Sequence, residues 1–174
     1  MRRSIIPLIA FILFFMEPVF SLFSPIEFDG QLFTLVPRFV IVCLIFIAVY
    51  DSRKHAIIYG IIFGLLYDMF YIDIIGLYAF LYPLICVIAA SVIRYIHRHI
   101  VTVILLSLLL IIFLEFLSYG FASLISITSI EFSDFVKVRL IPTMIANSLF
   151  VIMFGWFFKK VIEPNLLSSS SEVL

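Results

Sequence analysis

Apolar residues occupy this chain in long runs, with polar residues gathered into the short breaks between them. Six runs stand out, over residues 4–23, 35–50, 56–72, 74–93, 100–122 and 140–162. A helix needs roughly 20 residues to cross the hydrocarbon core of a bilayer; the second and third runs are short for this. The pattern predicts an all-α integral membrane protein of about six transmembrane helices, a single polytopic domain over residues 1–174 ending in a tail from 163 to 174. Met1-Arg2-Arg3 before an apolar run imitates a secretory signal. The run over 4–23 is too long for a signal core, contains Glu17-Pro18 and lacks a small-x-small cleavage site, so an uncleaved first helix is expected.

Composition sharpens this. Of 174 residues, 65% are hydrophobic and 13% charged, and the mean hydropathy is +1.30. A soluble domain is about half apolar and a quarter charged. A nucleic-acid reader, a soluble enzyme and a secreted disulfide scaffold are excluded. Cys43 and Cys86 sit inside apolar runs and read as small buried hydrophobes. The net charge is zero, but its placement is informative. With the N-terminus inside, the inner segments carry Arg2, Arg3, Arg53, Lys54, Arg94, Arg98, Lys159 and Lys160, and the outer ones Arg38, Lys137 and Arg139. Positive charge favours the cytoplasmic side, which predicts both termini in the cytoplasm. The turns over 51–55 and 95–99 are then tight, basic and cytoplasmic. The outer loops over 24–34 and 123–138 carry Glu27, Asp29, Glu131 and Asp134, and the tail ends in a serine run over 168–171.

Ionisable groups within membrane spans are costly and usually face a bundle interior or a cavity. At 1.5 Å per residue, Glu17 lies about 20 Å along the first helix, Asp68 about 18 Å along the third and Glu115 about 22 Å along the fifth. All three acids fall in the outer half, where Arg38 opens the second span and Arg139 the sixth. The expectation is one polar layer with Arg–carboxylate pairing. Structural pairs holding the bundle, a functional pocket or partner contact, and residues snorkelling to water all fit it.

Spacing assigns faces. Gly60, Gly64 and Asp68 share a stripe at intervals of four, as do Arg139, Thr143 and Asn147, continued two turns later by Gly155. Gly76, Ala79, Pro83, Cys86 and Ala90 form a small-residue seam on the fourth span. Small residues admit close helix packing, against a helix of this chain or of a partner. Pro83 and Pro142 each remove a backbone hydrogen bond and favour a kink. Catalytic chemistry finds no constellation. His55, His97 and His99 lie in cytoplasmic turns, far from outer serines. Asp68 and Asp73 are neighbours in sequence, but no second helix supplies a matching aspartate. No P-loop, dinucleotide motif, metal site or cofactor site is expected.

The chain resembles the MreD family, the small polytopic membrane protein of the bacterial rod-shape system. The resemblance rests on Pro37-Arg38-Phe39, on HAIIYGIIFGLLYD over residues 55–68, and on Gly76-Leu77-Tyr78, Leu114-Glu115-Phe116 and Arg139-Leu140-Ile141-Pro142-Thr143. It implies a non-enzymatic part of the complex directing lateral-wall peptidoglycan synthesis in the bacterial cytoplasmic membrane. The partners implied are MreC and, through the complex, RodA, a class B penicillin-binding protein and MreB filaments. The family is also similar to the substrate-binding subunits of energy-coupling-factor transporters, six-helix bundles that bind a ligand from outside. On the first reading Gly60, Gly64 and Gly76 pack helices, Gly60 and Gly64 admit a partner helix, and Asp68 and Arg38 fix its register. Glu17, Arg38, Asp68, Glu115, Arg139 and Asn147 are expected to form a partner contact or buried polar cluster. On the alternative, a small-molecule-binding subunit of a transporter, the cluster of Glu17, Arg38, Asp68, Glu115 and Arg139 falls where a pocket would open. The basic turns at Arg53-Lys54 and 94–99 meet anionic lipid headgroups or a cytoskeletal partner; no nucleic-acid contact is expected.

Overall fold

The most apolar segment of the chain makes its central helix. In the computed structural model, which describes residues 2–28, 30–72 and 74–163, α2 (Phe39–Tyr50) is buried at all 12 positions. A helix apolar on every side belongs in an interior, and α2 touches each of the other five helices. These are α1 (Arg2–Ser21), α3 (Arg53–Tyr71), α4 (Leu77–Val92), α5 (Ile100–Leu124) and α6 (Phe132–Ile162). The last holds a π-helical stretch at Phe135–Leu140, just after its first turn. Asp29, Asp73, the tail over 164–174 with its serine run, and the side chains of Arg2 and Arg3 lie outside the described residues.

The outer helices show α2 one stripe each and turn apolar side chains outward. Ile6, Ala10, Phe14 and Glu17 are buried on α1, while Leu8, Ile12 and Phe15 are exposed. On α6 the buried set is Phe135, Leu140, Thr143, Asn147, Val151, Gly155, Phe158 and Ile162, with Ile145, Leu149 and Ile152 outside. On α5, Leu105, Leu109 and Phe113 are exposed. An exterior this apolar suits hydrocarbon rather than water. Among the described residues two helices, α5 and α6, are long and apolar enough to cross a membrane by length and composition.

Several boundaries differ from those read off the apolar runs. The second helix starts at Phe39, not 35, since residues 34–38 form no regular element. The fourth starts at Leu77 rather than 74, after a left-handed Gly76 (φ +113°). The segment over 24–34 contains an antiparallel hairpin, β1 (Ile26–Phe28) and β2 (Gln31–Phe33). The sixth helix begins at Phe132 within the expected loop, and the Thr34 N–H donates to the Val138 carbonyl at 2.8 Å, joining the hairpin to the π-helical stretch.

The glycine stripe of α3 packs inside the chain. The α3–α4 pair is the most extensive helix contact. A Cβ at Gly60 would lie 3.0 Å from the Pro83 nitrogen, and one at Gly64 would overlap the Tyr78 carbonyl and come within 2.7 Å of the Ala79 Cα. The expectation that Gly60 and Gly64 admit a partner helix is therefore corrected: α4 fills that groove. Gly76 is corrected likewise, since a Cβ there meets nothing within 4 Å and its backbone conformation is what calls for glycine. Gly64→Ala is accordingly expected to abolish the folded protein in detergent. Gly120→Ala, in open space on α5, is expected to leave it intact or raise its Tm slightly. Size-exclusion profiles and thermal unfolding in detergent check both; a monodisperse Gly64→Ala protein with unchanged Tm would refute this packing.

Candidate functional site

The polar residues flagged in the sequence meet at the hairpin end of the bundle, around the start of α2. Pro37 precedes Arg38, and Arg38 stands at the N-cap position of α2. The first N–H groups of a helix have no intrahelical acceptor, and here they open inside the protein. Two side chains answer them. The Asn147 Oδ1 accepts from the Arg38 N–H at 2.8 Å, and the Glu17 Oε1 accepts from the Val40 N–H at 2.8 Å. Asn147 also donates to the Val36 carbonyl at 3.0 Å and to the Thr143 carbonyl at 2.7 Å. The Thr143 hydroxyl accepts from the Val36 N–H at 3.1 Å. One stripe of α6 thus holds the backbone of Val36 and Arg38 that leads into α2.

The Arg38 side chain carries a full charge at 1% exposure. Its Nη2 lies 2.6 Å from the Glu115 Oε1, its Nε donates to the same oxygen at 2.7 Å, and its Nη2 donates to the Tyr78 hydroxyl at 2.8 Å. The guanidinium also lies 5.4 Å from the Tyr67 ring centre and 5.0 Å from that of Tyr78, within cation–π range. The other oxygen of Glu115 accepts from the Arg139 Nε at 3.2 Å, with Arg139 38% exposed. Glu115, itself fully buried, is shared by two arginines.

Asp68 takes no arginine. Its Oδ2 accepts from the N–H of Gly76 at 2.9 Å and of Ala79 at 3.0 Å, and its Oδ1 from that of Tyr78 at 2.8 Å. A carboxylate at a helix N-terminus satisfies orphan donors and complements the helix dipole. Within the expected polar layer, the Arg–carboxylate pairing falls on one of the three acids. Among the described residues only Glu115 forms ion pairs with arginine, whereas Glu17 and Asp68 cap α2 and α4. That reading of the residues missed Tyr67 and Tyr78 as members of the cluster. The signal available was a tyrosine within an apolar run, whose hydroxyl needs a partner once buried.

Elsewhere two tyrosines tie distant segments, the Tyr71 hydroxyl donating to the Phe14 carbonyl at 3.0 Å and the Tyr50 hydroxyl to the Arg98 carbonyl at 3.4 Å. The Ser52 hydroxyl accepts from the His55 N–H at the start of α3, and the His55 ring meets the Asp51 carboxylate at 2.7 Å. Cys43 and Cys86 are free and buried. Among the described residues no group of three or more His, Cys, Asp or Glu is placed to hold a metal ion.

Removing one partner of a buried ion pair leaves an uncompensated charge, at a cost of about 3–5 kcal/mol. Glu115→Gln is expected to lose that much stability, because Arg38 then has no counter-charge. Arg139→Gln, at a half-exposed position, is expected to lose about 1 kcal/mol or less. Thermal or denaturant unfolding in detergent checks the ranking, and equal losses would contradict the assignment of Arg38 as the principal partner. Asp68→Asn, keeping one acceptor oxygen for three N–H groups, is expected to cost about 1–3 kcal/mol; an unchanged Tm would refute the capping role.

A model of the family described as rod shape-determining protein MreD matches residues 1–163. The chain is 37% identical over 149 residues to the Rod shape-determining protein MreD of Bacillus subtilis (strain 168), across 84% of this chain and 86% of that protein. It is 28% identical over 126 residues to the Cell shape-determining protein MreD of Streptococcus pneumoniae (strain ATCC BAA-255 / R6), across 72% of this chain and 77% of that protein. No solved structure matches at a significant level. With both sequence matches spanning most of the chain, and with the matched region containing the whole polar cluster, the chain belongs to the MreD family of rod shape-determining proteins.

Proposed function

We propose that this protein is a non-enzymatic membrane scaffold of the rod-shape complex, binding MreC and helping to organise lateral peptidoglycan synthesis and cell shape. In this reading it crosses the bacterial cytoplasmic membrane six times with both termini inside, as the distribution of Lys and Arg favours. RodA and a class B penicillin-binding protein are further partners in the complex, and MreB is reached indirectly. The observation that carries the reading is what the buried acids bind. Glu115 is held by two arginines and Asp68 by three backbone N–H groups. Both contacts serve the fold, as a scaffold's interior requires.

Because α4 occupies the Gly60/Gly64 groove, a partner helix meets the apolar exterior instead. Photocrosslinking residues introduced at exposed Leu8, Leu105 and Ile152 would sample α1, α5 and α6 in native membranes. The expected outcome is a crosslink to MreC from one of these faces, with MreC and cell-wall synthases co-purifying in mild detergent. Recovery of a transporter's coupling subunit and ATPases instead would overturn the scaffold reading.

A further inference from the structure

A cavity of about 360 Å³ opens beside the polar cluster, walled by Glu17, Arg38, Tyr67, Tyr71, Tyr78 and Arg139 among others. That size lies within the range of about 300–1,000 Å³ usual for small-ligand sites. Two of its walls hold buried polar atoms with no hydrogen-bond partner among the described residues, the Glu17 Oε2 and the Arg38 Nη1. Glu17 is 2% exposed and Arg38 1%. A third such atom, the Tyr82 hydroxyl oxygen, is not on this wall. An unmet buried donor or acceptor costs about 1–3 kcal/mol, more when charged, and natively calls for an explanation.

With Glu17 ionised, the two orphan atoms have opposite polarity. The Arg38 Nη1 is a donor on a cationic group, and Arg139 adds a second guanidinium whose Nε alone is engaged by Glu115. The Glu17 Oε2 is an acceptor on a carboxyl group whose other oxygen already caps α2. A plain anion would satisfy the arginines and leave Glu17 unmet and facing negative charge. A plain cation would do the reverse. A group bearing an anionic oxygen and an ammonium a few ångströms apart satisfies both ends. We propose that this cavity binds a zwitterionic group of the phosphoethanolamine type, its phosphate oxygens at Arg38 and Arg139 and its ammonium at Glu17. The same chemistry is carried by a phosphatidylethanolamine headgroup and by free phosphoethanolamine.

The test is ligand-dependent thermal stabilisation of the purified full-length protein in detergent. Three probes are used: short-chain phosphatidylethanolamine, short-chain phosphatidylglycerol and free O-phosphoethanolamine. Phosphatidylethanolamine is expected to raise the Tm by several degrees, with phosphatidylglycerol needing at least tenfold more for the same shift. Arg139→Gln and Glu17→Gln are each expected to weaken the response at least tenfold; Gln keeps an oxygen to accept from Val40. Should Glu17→Gln not fold, the contrast between the two lipids and the Arg139→Gln protein still decides. Stabilisation by free phosphoethanolamine at similar concentrations would support the site with a soluble ligand, and stabilisation by the lipid alone would support it with a headgroup. Equal response to phosphatidylglycerol, an unchanged response in Arg139→Gln, or no stabilisation by any probe would overturn the proposal.

Discussion

The structure depends on how the start of α2 is accommodated. Twelve residues make a helix of about 18 Å, well short of a bilayer core of about 30 Å, and all of it is buried. Its N-terminus therefore opens inside the protein, next to a buried guanidinium that the positive end of a helix dipole disfavours. Unmatched donors and an unmatched charge at that point would cost several kcal/mol. Glu17 from α1 and Asn147 from α6 take the donors, and Glu115 from α5 takes the charge. Three helices are thereby tied to a fourth by contacts that a helix merely sliding past α2 could not make.

The start of α4 repeats the solution with different parts. Asp68, near the end of α3, reaches over the turn and accepts from three N–H groups around Gly76 and Ala79. That contact needs α3 and α4 very close, which Gly60 and Gly64 permit by offering no side chain where Pro83 and Tyr78 pass. The acid and the glycines on one stripe are thus a single device, close approach below and a cap above. In lipid the hydrophobic effect does not hold one helix against another, so shape fit and polar contacts decide the arrangement. Here the shape fit is between α3 and α4, and the polar contacts are gathered at the hairpin end.

This division separates interior from exterior. The buried polar residues determine which helix sits where, and the apolar outer faces of α1, α5 and α6 remain for lipid and for other helices. In the scaffold reading proposed above, these outer faces are the surface a partner helix meets. The cavity beside Arg38 has two of the buried unmet polar atoms on its wall.

The sequence alone determined the class of protein and the existence of its helices, because apolar runs of this length have few other physical solutions. It also marked Glu17, Arg38, Asp68, Glu115, Arg139 and Asn147, since ionisable and amide groups inside such runs are too costly to be incidental, and its motifs pointed to the family. Only the tertiary structure decided what those residues do. Arg38 and Glu115 lie 77 positions apart, and Arg38 and Asn147 109 apart, so no local spacing links them. The acceptors' partners at Val40, Gly76, Tyr78 and Ala79 are backbone N–H groups, which nearly every residue carries and which therefore leave no mark in a sequence. The same is true of the Gly60/Gly64 groove. A stripe of small residues states that some helix comes close, but which one depends on the packing of the whole bundle, and here it is α4.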